Sequence, residues 1–402
     1  MDDGFLYFGS ASISDDADVQ RVIGSRGGRK CLHSDERGSF EFDLCSTLEN
    51  KFRWMLLWAQ PRYFVQRQRQ LQWCVTGAPI PNAFSSLFKI DPPIDFIGIS
   101  YGLACTVVEL YWRILADPGT FPDVGEPAVE SLAPLTFLTH DSLPLKEARP
   151  WRQPVCTIRG HFAKSLAYMA LEQAFLHEFA HIGNGHNDYL STLNLLSLTD
   201  RPYHPVAAEK DSLLLQTLEM DADATGLMYT LELNERKRLD LPKYADRLDD
   251  AKRIANIAAF GAVRAYIRNI LFSNYVFWRC KDQVWDLEKQ PHDDHPQPAI
   301  RMKFLRDGLA RCLLAMPHLG YSPNDFITDS REIIQSAEIA CARIMHVEPQ
   351  LEVYQSAFQT ADAVHYFEKL EDYWCKIRHS LMKYPKVRML APCNLPHNHA
   401  LI

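Results

Sequence analysis

Ala174–Asn187, AFLHEFAHIGNGHN, sets His177, Glu178 and His181 in the order His-Glu-x-x-His. On a helix, residues four apart stand one turn above each other on the same face, so both imidazoles can converge on one ion. Zn²⁺ accepts such nitrogens at about 2.0–2.1 Å and needs at least one further protein ligand. Glu178 can reach a water at the metal without ligating the ion itself, which is where a general base for hydrolysis belongs. The helix predicted around the motif, Phe162–Ile182, also reads as an amphipathic core helix, with Leu166, Met169, Phe175, Phe179 and Ala180 to bury. Other parts of the chain therefore have to supply what a zinc site still lacks.

A second predicted helix, Glu209–Leu233, offers it. Glu219 and Asp223, in EMDAD with Gly226 three residues on, are again four apart and share a face. Glu219 would complete a His₂Glu set and leave the fourth position to water, the arrangement of catalytic rather than structural zinc. Asp223 is then placed to orient a ligating histidine through its second ring nitrogen. Alone, such an acidic pair reads as a solvated helix face. A histidine third ligand of the HExxHxxGxxH kind would need glycine and histidine where this chain has Asn184 and Asn187. His186 falls one position short, so Glu219 is the expected third ligand.

With 402 residues, 47% of them hydrophobic, the chain can bury a large core, and one elaborated catalytic domain with helical additions is expected. A net charge of −7 argues against nucleic acid as a partner, and the basic stretch Arg62–Arg69 reads as a solvated face. The cysteines form no Cys-x-x-Cys pair, so they suggest neither a zinc ribbon nor a disulfide scaffold and suit a reducing cytosol. MDDGFLYFGS, at the N-terminus, lacks the basic and apolar regions of a secretory signal. No stretch meets the requirement for a membrane span, about 18 uncharged apolar residues. Glu109 closes Phe96–Val108, and Ile254–Trp278 is interrupted by Arg264 and Arg268, which are expected to pair with carboxylates. A cytoplasmic protein without a transmembrane segment is expected; peripheral membrane contact stays open, and the oligomeric state is not specified.

Along the chain, residues 1–41 read as an irregular lead-in, rich in Gly, Ser and Asp. Helical spacing runs from Phe42 to Gln60, where Pro61 is expected to stop it. Tyr63–Thr76 and Asp95–Tyr101 read as strands, and Leu103–Leu115 as a helix. Residues 117–160, dense in proline and glycine, read as a surface excursion. Helical pattern fills Tyr244–Cys280, Ala299–Ala315 and much of Ser330–Lys383. The fold class expected is α+β and mainly α-helical, with a small sheet in the N-terminal third. Residues 42–309 would form the catalytic domain, with 117–160 inserted, and 310–402 a helical extension packed on it.

The combination resembles a gluzincin metallopeptidase, of the class that includes the CAAX-prenyl protease and the bacterial heat-shock membrane protease. HEFAHIGNGH, from His177 to His186, resembles the HExxHxxxxH of some members. PNAF, Pro81–Phe84, resembles the family's Asn-Ala-Phe segment, which implies that Asn82, Ala83 and Phe84 lie on an edge strand that holds substrate. HPQPAIRMKFL resembles the family's HP-x-x-x-x-R element, which implies that His295 and Arg301 face the cleft. These pieces span residues 82–301 in the family's order, and they imply a zincin-like core with a small edge-exposed sheet. The transmembrane helices of the family are not matched, and soluble relatives such as the phage-exclusion peptidase Lit resemble the chain in this respect.

Together these residues predict a zinc endopeptidase with one Zn²⁺ per chain, held by His177, His181 and Glu219, with Asp223 and His186 behind the ligands. Glu178 would deprotonate the attacking water, His295 or Arg301 would stabilise the oxyanion, and the partner would be a protein or peptide substrate. Two other readings fit the same residues: a Lit-like peptidase confined to one host or phage protein, and a silent zincin-fold protein that binds or regulates a partner.

Overall fold

The computed structural model describes residues 5–10, 13–63, 69–132, 152–193, 195, 209–279, 296, 298–351 and 360–384. Where the sequence predicts an irregular lead-in, the chain forms strand β1 (Phe5–Tyr7), helix α1 (Ala17–Ser25) and strand β2 (Cys31–His33). Helix α2 (Phe40–Tyr63) and strand β3 (Gln70–Thr76) follow. β3 orders the lead-in by supplying backbone partners: the Ser10 N–H donates to the Trp73 carbonyl and the Lys30 N–H to the Val75 carbonyl, both at 2.8 Å. The strands and turns of this segment are fixed in this way by the edge they cover, while α1 has an apolar face of its own in Val19, Val22 and Ile23.

α2 runs one turn beyond the expected stop at Pro61. The carbonyl that a proline there leaves unpaired belongs to Leu57, which is 62% exposed, so water can take the missing bond.

Strands β4 (Ala83–Phe88) and β5 (Ile94–Ser100) complete a sheet in the order β3-β5-β4, with β3 parallel and β4 antiparallel to β5. Every residue of β5 is buried, as expected of a central strand covered on both faces, and its one charge, Asp95, lies 3.5 Å from Arg69. On one face α1 packs Val19, Val22 and Ile23 against Phe84, Phe88, Ile94 and Phe96. Gly98 stands opposite Phe84, and a Cβ there would fall 2.1 Å from the Phe84 ring, so only glycine lets the ring cross the sheet. The other face carries Ile97 and Ile99 against helices α3 (Tyr101–Leu115) and α4 (Thr157–Gly183). Ser100 joins strand to helix directly, its hydroxyl accepting the Leu103 N–H at 3.0 Å as an N-cap.

Residues 117–132 wrap the start of α4 instead of standing off as an excursion. Arg159, with no exposed surface, donates to the carbonyls of Leu115, Asp117, Thr120, Phe121 and Val124 at 2.7–2.9 Å. Glu130 accepts the Val155 and Cys156 N–H groups at 2.9 and 2.8 Å where α4 begins. Charged partners thus satisfy backbone groups that would otherwise be orphaned at two helix ends.

From Phe162 onward most of α4 is buried, as expected of a helix surrounded by protein on all sides. Its neighbours are α3, the long helix α6 (Glu209–Tyr244), α7 (Asp250–Phe260) and α8 (Val263–Arg279). Gly261 separates the last two where the sequence pattern runs on. The short helix α5 (His186–Thr192) follows α4, and α9 (Pro298–Ala315), α10 (Pro323–Met345) and α11 (Ala361–Leu381) close the fold. Of the two arginines that interrupt α8, Arg264 pairs with Asp329 at 2.5 Å and Arg268 lies 5.0 Å from the Phe121 ring centre. Among the described residues no helix is long and apolar enough to cross a membrane.

α11 braces three other helices. Trp374, Ile377 and Leu381 cluster with Leu190 of α5 and Leu214, Leu215 and Leu218 of α6, while Ala363 and Phe367 meet Ala299 and Ile300 of α9. Trp374→Ala is therefore expected to cost about 3–5 kcal/mol of stability. Urea unfolding measures this, and an unchanged midpoint would mean that α11 is dispensable to the core.

Candidate metal centre

α4 and α6 bring three potential ligands together in the protein interior. Gly226 permits their close approach: a Cβ on it would lie 3.0 Å from the His177 nitrogen and 3.1 Å from the His177 Cα. One turn of α6 before Asp223, Glu219 reaches across to α4. Its Oε2 lies 3.2 Å from His177 Nε2, and its Oε1 lies 3.2 Å from His181 Nε2. The two Nε2 atoms are 3.1 Å apart. His181 and Glu219 are 1% and 2% exposed, so water screens this contact poorly.

The donor set suits a cation. Asp223 is on the other side of His177, its Oδ1 2.9 Å from Nδ1. An ionised carboxylate only accepts, so Nδ1 carries a proton, and a cation bound at the site would take the Nε2 that faces His181 and Glu219. Two ring nitrogens and a carboxylate thus converge in a buried site, an arrangement that is costly unless a proton or a cation stands among them. Ligands on a tetrahedral ion at about 2.0–2.1 Å lie about 3.3 Å from one another, close to the separations found here. His177, His181 and Glu219 are the group among the described residues that could hold a metal ion.

Behind these ligands, charge alternates. The Arg301 guanidinium grips Asp223 with two bonds, Nε to Oδ2 at 2.7 Å and Nη2 to Oδ1 at 2.6 Å. Nη2 also lies 3.7 Å from Glu219, and the Arg301 Cζ sits 3.5 Å above the centre of the Trp278 ring at the end of α8. Burial alone would raise Asp223, but Arg301 and His177 hold it below the ordinary carboxylate range. Burial alone would lower His177, but Glu219 and Asp223 outweigh it and hold the metal-free imidazole at about 10. For His186, burial prevails over the pull of Asp221 and lowers it below the ordinary imidazole value.

The remaining residues singled out in the sequence are placed as follows. Glu178 is buried at 7% exposure, and its carboxylate makes no hydrogen bond or ion pair among the described residues. His186 puts Nδ1 3.0 Å from Nδ1 of His181. Asn82 is half-buried, and its backbone is tied to Ser100 through bonds of 2.8 Å in both directions. Ala83 opens β4, the outer strand of the sheet. The Phe84 side chain is 1% exposed and faces the α1 cluster, with the Arg26 guanidinium 3.9 Å from its ring centre, so its ring serves the core. Arg301 is engaged by Asp223 and is 3% exposed, and its charge also acts on Glu219 and Glu178. His295 lies outside the described residues. Sequence reasoning passed over Trp278, Asn184 and Asp221; the last stands inside the EMDAD segment but two residues from Glu219, on the other side of the helix.

Two outcomes follow from this geometry. Arg301→Met would take both guanidinium bonds from the buried Asp223 and leave it His177 alone, which costs about 3 kcal/mol of stability and, by loosening His177, about 10–100-fold in metal affinity. Unfolding curves and competition with a chromogenic chelator measure the two losses. In the metal-free chain at about pH 7.5, well below 10, His177 holds a proton that the ion must displace. Binding should release that proton, and apparent affinity should rise about tenfold per pH unit toward 10. Calorimetry in buffers of different ionisation enthalpy checks this, and pH-independent affinity between about 7 and 9 would contradict it. Compared with known proteins, the chain matches no protein-family model, no curated protein sequence and no solved structure.

Proposed function

We propose that this chain is a zinc-dependent endopeptidase of the gluzincin kind, with His177, His181 and Glu219 as the metal ligands. The observation that carries the reading is the convergence of two imidazole nitrogens and a carboxylate at 3.1–3.2 Å beside the unpaired carboxylate of Glu178. Two nitrogens and one carboxylate suit Zn²⁺, which favours four-coordination and leaves a position for water or substrate. When bound, the ion supplies a Lewis acid and lowers the pKa of water toward neutrality.

The chain's own residues do the rest. Glu178 accepts the proton of the attacking water and returns it to the leaving amine; no hydrogen bond or ion pair ties up its carboxylate among the described residues, and the Arg301 guanidinium acts on it only at longer range. Asp223 keeps His177 in the tautomer that presents Nε2, and Arg301 keeps Asp223 ionised. With its guanidinium so engaged, Arg301 is assigned to holding Asp223; an oxyanion role stays with His295. β4 pairs only with β5 among the described residues, and α4 and α5 pack beside it. An extended peptide added along its outer edge would run past the helix that carries Glu178.

Glu178→Gln tests this directly. The variant should keep its metal and cleave a mixed peptide library about 10²–10⁴-fold more slowly than the wild type, with products identified by mass spectrometry. Cleavage at an undiminished rate would overturn the mechanism.

A further inference from the structure

The two histidines of the site are supported differently, and the support of His181 extends beyond its first partner. Gly185, at a φ of +78°, turns the chain sharply after α4, so that α5 begins with His186 packed against His181. Their rings meet at 74° with centres 5.1 Å apart, and the two Nδ1 atoms are 3.0 Å apart. On its far side, His186 Nε2 lies 3.1 Å from Asp221 Oδ2. Asn184, which caps the C-terminus of α4, donates its amide to the same Oδ2 and, at 2.8 Å, to Thr225 Oγ1, which anchors that carboxylate between α4 and α6. His186 is 0% exposed and Asp221 6%, so both stand away from solvent.

With an ion at Nε2 of His181 and both rings neutral, one arrangement of protons satisfies the contacts behind that ligand. An ionised Asp221 accepts and cannot donate, so His186 must carry its hydrogen on Nε2. As a neutral ring, His186 then has a bare Nδ1, which accepts from Nδ1–H of His181. With its hydrogen on Nδ1, His181 presents the Nε2 lone pair, the atom that faces His177 Nε2 and Glu219 Oε1. We propose that Asp221 is a positioning residue which, acting through His186, fixes the tautomer and ring orientation of His181 at the metal centre. His177 receives the same service from Asp223 with no intermediary. Each ligand thus ends on a carboxylate of α6, one directly and one through a second imidazole. The inference rests on the metal reading of His177, His181 and Glu219.

Zinc titration of the ¹⁵N-histidine-labelled wild type, read by imidazole NMR, comes first. The expected spectrum of the zinc-loaded chain has His186 protonated at Nε2 and bare at Nδ1, and His181 protonated at Nδ1. Asp221→Leu should then weaken zinc binding about 10–100-fold in chelator competition, as loss of an outer partner does elsewhere. Asp221→Asn should lose less, because its amide oxygen can still accept from His186. The wild-type spectrum stands even if a variant fails to fold. A proton on His186 Nδ1 in the zinc-loaded wild type overturns the relay, as does unchanged zinc affinity in folded Asp221→Leu. A wild type that binds no zinc overturns the metal reading itself, and the relay with it, before any variant is made.

Discussion

Two imidazole nitrogens and one carboxylate, held 3.1–3.2 Å apart in the interior, oppose one another unless a positive charge stands between them. Much of the architecture serves to hold that unfavourable convergence. α4 is buried along most of its length and fixed at its start by Arg159 and Glu130. α6 lies close against it at Gly226. Beyond the ligands the sign of charge alternates, from Asp223 to Arg301, so that each buried ion has an opposite neighbour within hydrogen-bond reach. A surface metal site could rely on water for this; a buried one cannot.

The outer elements act on the same convergence from further away. α11 packs on the segments of α5, α6 and α9 that carry His186, Glu219 and Arg301, so a helix with no ligand of its own braces one ligand and two residues that stand behind the ligands. Leu218, immediately before Glu219, has no exposed surface in that contact. The sheet is small, but its position matters: β5 is central and fully buried, while β4 lies at the outer side next to α4. Such a sheet can expose one backbone edge without exposing its core.

What could be read in the sequence was local in origin. The spacing of His177 and His181, and of Glu219 and Asp223, follows from one helical turn, and both pairs come together in space as that spacing requires. Tertiary contacts were not legible in the same way. The partner of Arg301, Asp223, lies 78 residues earlier in the chain, and nothing local announces that pairing or Trp278 beneath the guanidinium. Phe84 follows from strand alternation: with Ala83 on one face, its ring must occupy the other, and there α1 waits to cover it. Residues 1–41 read as irregular: the short strands among those described take their order from bonds to β3, which leave no local pattern, whereas α1 did leave one, Val19, Val22 and Ile23 behind the Asp16 cap, that was overlooked. Asp221 was hidden by the same helical argument that revealed Glu219 and Asp223, since its partner arrives from α5 on another side of the helix.

The central claim is that the buried convergence is completed by a metal ion. Elemental analysis of the purified chain, beside Glu219→Ala, addresses it most directly. The account predicts about one zinc per wild-type chain and its loss from the variant. A folded wild type without stoichiometric metal, or a Glu219→Ala chain that keeps its zinc, would contradict it.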